Sequence, residues 1–322
     1  MISRFFTALL FALLFFGPAH AQDTGGGTAP PNLYAAPGNG EATRFTSIAG
    51  RTLSSATITA SSFVYIVVGQ SLGGSHVQGN YVGTKDCRTV NFTGDRKVYK
   101  NSTGGTELGS TFSPNGYQGW PVYSSMWAKL CDLLITGTPT ASGRVIDSVL
   151  SINPSSAGQP ISQFMPGGPL GYLLPLAFFT LNELGIPPSR VDAIIFMEGE
   201  SDSINGTSQA AYQASMQTWF TIARNMGFVG KFIVPLETYG YGCTSTTIRA
   251  AQTAVVNGTD VIQGPDFDTF INNTCGGLAF RYAEVAPGVC FGGVPGSALI
   301  HPSDAGQNSM MPALKTTIYA HF

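Results

Sequence analysis

The sequence predicts an α/β fold, a three-layer α/β/α sandwich around a mainly parallel sheet. Three observations predict it. Four apolar runs lack the polar alternation of a half-exposed strand, amphipathic helical patterns separate them, and 40 glycines and 20 prolines supply loops between short elements. In chain order, Phe63 to Val68 is a continuous β-prone run stopped by Gly69. Val122 to Leu134 has helical patterning, Val145 to Ile152 is the second apolar run, and Leu170 to Leu184 is the next helix. Ala193 to Met197 is the third run. The strongest helix is Ser208 to Met226, where Tyr212, Met216, Trp219, Phe220, Ala223 and Met226 keep helical spacing and Gly227 supplies the stop. Phe232 to Leu236 is the fourth run, followed by helical patterns over Thr246 to Val256 and Ser303 to Tyr319. In sheets built this way ligands sit beyond the carboxyl ends of the strands, so the chemistry is sought in the polar residues after each run.

Composition narrows the function. A chain of 322 residues is long enough for one large domain with a deep core. Only 11% of residues are charged and the formal net charge is −2, so no basic field exists to hold a nucleic-acid backbone. With 43% hydrophobic residues, general disorder is excluded as well.

The first segment reads as an address. Met1 to Arg4 carry positive charge, Phe5 to Phe16 form an apolar run, and Ala19-His20-Ala21 presents small residues at the two positions a signal peptidase needs. A signal peptide over residues 1–21 is expected, with a secreted or periplasmic product. No stretch approaches the ~20 apolar residues of a membrane span. Residues 22–45 read as a flexible Gly/Pro-rich lead-in and 46–322 as the folded domain. Export makes disulfides available to the five cysteines. Cys275 with Cys290, which bracket a Gly-rich loop, is the preferred pair, and Cys87 with Cys131 the second. None has zinc-ligand spacing.

Three places carry candidate chemistry. Gly69-Gln70-Ser71-Leu72-Gly73-Gly74 is a Gly-flanked turn that lifts a serine hydroxyl from a strand end. A neutral hydroxyl needs a base, and beyond the signal segment only His76, His301 and His321 are available. His76 sits in the serine's own loop and His321 at the C-terminus. His301 precedes Pro302-Ser303-Asp304, a helix entrance. The third run ends in Glu198-Gly199-Glu200-Ser201-Asp202, three acids within five residues, whose mutual repulsion must be offset by hydrogen bonds or a cation.

These blocks together resemble the SGNH hydrolase superfamily, a flavodoxin-like fold, and within it the branch of sialate O-acetylesterases and acetylxylan esterases. Gly69-Gln70-Ser71 is similar to the nucleophile block, Gly199-Glu200-Ser201-Asp202 to the Gln-Gly-Glu-Ser-Asp block of that branch, and His301-Pro302-Ser303-Asp304-Ala305-Gly306 to the final histidine block. Ala157-Gly158-Gln159-Pro160-Ile161, Ile248-Arg249-Ala250-Ala251-Gln252 and Asp266-Phe267-Asp268 are similar to further segments, in the right order. The resemblance implies a serine esterase that removes O-acetyl groups from carbohydrates through an acetyl-serine intermediate. Ser71 would be the nucleophile, His301 the base, and the Ser71 and Gly158 amides the oxyanion donors, with no metal or cofactor.

The pattern also breaks. The aspartate usually found three residues before the histidine is Ala298, the glutamine before Gly-Glu-Ser-Asp is Glu198, and the asparagine after the nucleophile is Leu72. One reading makes Glu198 the acid that orients His301, with Glu200, Asp202 and Asp304 in reserve. A competing reading keeps Glu198 at the oxyanion as a protonated carboxyl. Three rival functions stand beside the esterase: a carbohydrate-binding protein on an esterase scaffold, suggested by Tyr117, Trp120 and Trp127; a periplasmic sugar O-acetyltransferase; and an α/β-hydrolase, since Gly69 to Gly73 also fits a nucleophile elbow.

Overall fold

The structure is a computed structural model that describes residues 51–73, 81, 83–90, 96–101, 126–156, 158–239, 244–270, 301–302 and 304–322. Eight strands are described: β1 (Arg51–Ser54), β2 (Ser62–Gly69), β3 (Cys87–Val90), β4 (Val98–Asn101), β5 (Ser148–Ile152), β6 (Ala193–Met197), β7 (Lys231–Leu236) and β8 (Val261–Asp266). They form one sheet in the order β1-β4-β3-β5-β2-β6-β7-β8. The six strands from β3 to β8 in that order run parallel, and β4 and β1 extend the sheet as an antiparallel edge. The helices are α1 (Met126–Leu134), α2 (Leu173–Glu183), α3 (Glu200–Asn205), α4 (Gln209–Asn225), α5 (Thr246–Ala254) and α6 (Asp304–His321).

The uninterrupted apolar run of β2 is explained by its place at the centre of the sheet, covered on both faces. Val64, Ile66 and Val68 join a core with side chains of α2, α4 and α5, among them Phe178, Trp219 and Ile248. Phe63, Tyr65 and Val67 point the other way, into a core with Trp127 and Leu130 of α1 and Met310, Leu314 and Ile318 of α6. The period-2 alternation of a strand therefore feeds two hydrophobic layers at once, each buried Leu, Ile or Phe contributing about 1.5–3 kcal/mol. α4 has the buried face that the sequence predicts, and Ser208 caps it by accepting a hydrogen bond from the Ala211 amide.

Two features of the topology position the site. β5 and β6 flank β2 on opposite sides, so the chain reverses its direction of travel across the sheet there. A crevice opens at such a switch point, beyond the carboxyl ends of the strands. The second feature is the return of α6. Its last residues lie at the opening end of β2: the Phe322 ring packs edge-on against Phe63, with centroids 5.2 Å apart. Eighteen helical residues span ~27 Å and eight strand residues ~26 Å, so the two elements are of similar length.

Cys87 of β3 and Cys131 of α1 form a disulfide, with Cα atoms 5.9 Å apart. The second of the two predicted pairs is thus formed, and the preferred pair, Cys275 and Cys290, lies outside the described residues. Next to the bridge, the Asp132 carboxylate accepts bonds from the Thr84 amide and hydroxyl (both 2.8 Å), the Lys85 amide (3.0 Å) and the Tyr81 hydroxyl (3.0 Å). The segment before β3 is therefore held to α1 both covalently and by a buried acceptor. Among the described residues no helix is long and apolar enough to cross a membrane.

The bridge closes a loop of 44 residues in sequence separation. Its loss in Cys87→Ser, or on reduction, is expected to cost about 2–4 kcal/mol. Urea unfolding with and without reductant measures it, and the variant should lose its sensitivity to reductant.

Candidate active site at the carboxyl edge of the sheet

The ends of β2 and β6 meet more closely than side chains normally allow. Gly69 has φ +145°, and a Cβ built on it would stand 1.7 Å from the Met197 carbonyl oxygen, so only glycine fits. The next amide, that of Gln70, donates to the same Met197 oxygen at 3.1 Å. Gly199 repeats the geometry, with φ +145° and a Cβ position 2.2 Å from the Glu237 carbonyl oxygen. Each glycine lets one strand end turn against its neighbour, and Ser71 and Glu198 stand beside these turns.

Hydrogen bonds join five strand ends into one belt. From β5, the Ser156 amide donates to the Gly69 carbonyl at 2.9 Å, and Asn153 Nδ2 donates to the Gly73 carbonyl at 2.5 Å. Trp127 Nε1 donates to the same Gly73 oxygen at 2.8 Å. The turn carrying Ser71 is thus held at both ends, and Ser71 is 7% exposed. From β6, Gln70 Nε2 donates to Glu200 and Ser201 Oγ donates to Gln70 Oε1. The Asp202 carboxylate receives the Ile161 amide and the Thr207 hydroxyl, both at 2.7 Å. From β7, Gln252 of α5 donates to the carbonyls of Glu198 (2.8 Å) and Glu237 (3.2 Å). From β8, Asp268 accepts from the amides of Thr238 (2.8 Å) and Tyr239 (3.0 Å), the Thr238 hydroxyl (2.7 Å) and Arg249 Nη1 (2.7 Å).

The residues singled out from sequence fall on this edge or beside it. Ser71 follows β2, Glu198 follows β6, and Glu200 and Asp202 open α3. Gly158 sits two residues beyond Ser156. His301 is buried at 6% exposure, three residues before α6. His321 is exposed at the far end of that helix, while His76 and Ala298 lie outside the described residues. Trp127 is 2% exposed and spends its indole N–H on the Gly73 carbonyl, so it is a support of the serine turn and offers no face to a sugar; Tyr117 and Trp120 lie outside the described residues. Sequence reading overlooked Asn153 as a prop, and it left Gln70 and Gln252 without roles. A polar residue right after an apolar run was the available signal for Asn153.

Glu198 is the unusual group. It is 1% exposed, and neither carboxyl oxygen receives a hydrogen bond of good geometry among the described residues. Burial first, then the charges of Asp202 and Glu200, hold its pKa well above the ordinary carboxylate range; the Gly199 amide opposes this only in part. Burial and the two neighbouring acids therefore favour the neutral form of Glu198.

Folding therefore retains a proton that the unfolded chain gives up. The contribution to stability is complete at acid pH and declines as pH rises above the unfolded carboxylate value and through the raised folded one, by up to about 1.4 kcal/mol per pH unit. Glu198→Gln keeps the shape without the ionisation, so its stability should fall less than that of wild type between pH 5 and pH 8. Equal slopes in urea unfolding at the two pH values would show that Glu198 ionises normally.

No protein-family model matches the chain, and no curated protein matches it in sequence. Among solved structures, a protein from Arabidopsis thaliana is similar over 80% of this chain and 97% of its own, with TM-score 0.52 and 12% identity. A carbohydrate acetylesterase from Xanthomonas citri is similar over 80% of this chain and 56% of its own, with TM-score 0.38 and 12% identity. The likeness to the first is one of fold, a three-layer α/β/α sandwich that covers nearly the whole of that protein.

Proposed function

We propose that the chain is an exported serine esterase of SGNH type that removes O-acetyl groups from carbohydrates. The observation that carries this reading is the position of Ser71. It follows the central strand by two residues at the switch point of a parallel sheet, where ligands bind, and the approach of His301 to it is part of the proposal. The order of strands speaks against the α/β-hydrolase reading, because only the antiparallel edge strand β1 precedes β2 among the described residues, whereas a nucleophile elbow follows several strands and an oxyanion loop. The Cys87–Cys131 bridge suits an oxidising compartment and so the reading of residues 1–21 as a signal peptide.

In the proposed mechanism Ser71 Oγ attacks the acetyl carbonyl carbon while His301 takes its proton. The carbonyl oxygen becomes an oxyanion held by the Ser71 and Gly158 amides. Collapse of the tetrahedral intermediate breaks the bond to the sugar oxygen, which leaves with the proton from His301. Water then attacks the acetyl-serine by the same route, and acetate departs. Glu198 takes the donor role. A carboxyl held neutral is an O–H donor, as the glutamine of the resembling block is an N–H donor, whereas an acid that orients His301 would have to be ionised. The groups that move the Glu198 proton are other acids, which fits this assignment.

Acetate release from acetylated xylan and acetylated sialic acid tests the reading. Ser71→Ala and His301→Ala should each lower kcat by about 10⁴-fold or more. A wild type as inert as these variants would favour a carbohydrate-binding protein, and acetyl transfer to an added sugar in preference to water would favour the transferase. Glu198→Gln keeps a donor and should hold kcat within about tenfold, while Glu198→Ala removes it at a cost of about 10²-fold. A fall near 10⁴-fold with glutamine would instead make Glu198 the orienting acid.

A further inference from the structure

We infer that Gln70 is a positioning residue whose side-chain amide sets the peptide group of the nucleophile turn by gripping two groups of opposite polarity on α3. The inference rests on the esterase reading and adds a residue to it. Gln70 is 2% exposed; its Oε1 accepts from the Ser201 hydroxyl, its Nε2 donates to Glu200, and its main-chain amide donates to the Met197 carbonyl at 3.1 Å. Glu200 and Ser201 are themselves 1% and 9% exposed, so these contacts lie out of bulk water. An ionised carboxylate only accepts, so the Gln70 nitrogen must face Glu200 and its oxygen the hydroxyl. A glutamine amide presents a donor and an acceptor on one rigid plane at any pH, which a glutamate of the same length does only while protonated.

The consequence falls on the next peptide. The group that joins Gln70 to Ser71 carries the Ser71 N–H, the donor assigned to the oxyanion. With Gln70 held at its main-chain amide and at both side-chain heteroatoms, that peptide has little freedom to tilt. Displacement of such a donor by about 1 Å is enough to cost ~10²-fold in rate. Glu200, which the sequence offered as a reserve acid for His301, is thereby engaged with Gln70 across the junction of β2 and α3.

The test uses the full chain and a fluorophosphonate probe that labels an activated serine, alongside kcat and KM for 4-nitrophenyl acetate. Gln70→Glu sets two carboxylates against each other. It should lower both the labelling rate and kcat by about 10²-fold at pH 8 with little change in KM, and recover part of the loss at pH 5.5, where one proton can be shared. Adding Glu200→Gln restores the opposite polarities and should return the rate to within about tenfold of wild type with the wild-type pH profile. The other ionisable groups of this edge, Glu198, Asp202, Glu237, Asp268, Arg249 and His301, are common to all variants, and because Glu200 acts on Glu198 the double variant, which keeps the number of carboxylates, is the one compared with wild type. A Gln70→Glu protein that reacts at the wild-type rate at pH 8, or one that folds yet is not rescued by Glu200→Gln, overturns the positioning role. If Gln70→Glu does not fold, Ser201→Ala removes one hold without adding charge and should slow labelling by about tenfold at unchanged KM; an unchanged rate overturns the role as well. A wild type that is neither labelled at Ser71 nor active overturns the esterase reading itself, and the grip of Gln70 is then still read from the stability cycle of the two single variants and their double.

Discussion

The structure depends on the contact between the ends of β2 and β6. With φ +145° at Gly69 and no room for a Cβ against the Met197 carbonyl, the chain leaves the central strand in a direction that no other residue can take. Everything polar at this edge follows from that exit. Gln70 turns toward α3, Ser71 is lifted beside the switch point, and the Gly73 carbonyl comes within reach of Asn153 and Trp127. The strain is local, and two donors on one carbonyl at the far end of the turn hold it there. A serine hydroxyl needs such a fixed platform, because its reactivity rests on direction as much as on its base.

The second constraint is electrostatic. Glu198, Glu200, Asp202 and Glu237 are each at most 1% exposed at one sheet edge, an arrangement that full ionisation would tear apart. The fold disperses the charge in different ways. Asp202 receives an amide and a hydroxyl, and Glu200 takes the Gln70 amide. Burial and its acidic neighbours raise the Glu198 pKa and favour its neutral form. Asp268, the neighbouring acid from β8, is satisfied by two amides, a hydroxyl and the Arg249 guanidinium. The acid run after β6 is thus part of the scaffold that holds the strand ends together.

Much of this was legible in the sequence, and what was hidden was hidden for physical reasons. β2, β5, β6 and β7 announced themselves because strands covered on both faces need unbroken apolar runs, and α4 because one face of it is buried. β3 did not, since Cys-Arg-Thr-Val carries a charge in its middle; in the fold Arg88 donates to the carbonyls of Ser55 (2.9 Å) and Thr57 (2.6 Å), outside any pattern a window can see. β8 contains Gly264 and Pro265, which argue against a strand unless it lies at an edge, and it does. The serine, the histidine and the acid-rich block were singled out by type and order. The partners of Gln70 were not, because residues 130 apart in sequence meet only once the sheet order is known. The same holds for Cys87 and Cys131: spacing favoured the nearer pair, Cys275 and Cys290, while the bridge that the described residues form connects a strand to a helix.

The exchange of glutamine for glutamate at position 198 can then be argued from its surroundings. An amide donates at any pH. A carboxyl donates only while it is protonated, and in water that would fail well below neutrality. Under the proposed function the exchange would be tolerable at this position because burial, then the nearby Asp202 and Glu200, raise the Glu198 pKa. Asp202 accepts two hydrogen bonds, from the Ile161 amide and the Thr207 hydroxyl, and its charge is one of those that raise the Glu198 pKa. The oxyanion that forms during acyl transfer would be a further negative charge near the same acids. Under the proposed function a neutral Glu198 would thus be a condition for reaction as well as a donor to it, and the chemistry would couple to the protonation of the acid-rich edge through that one group.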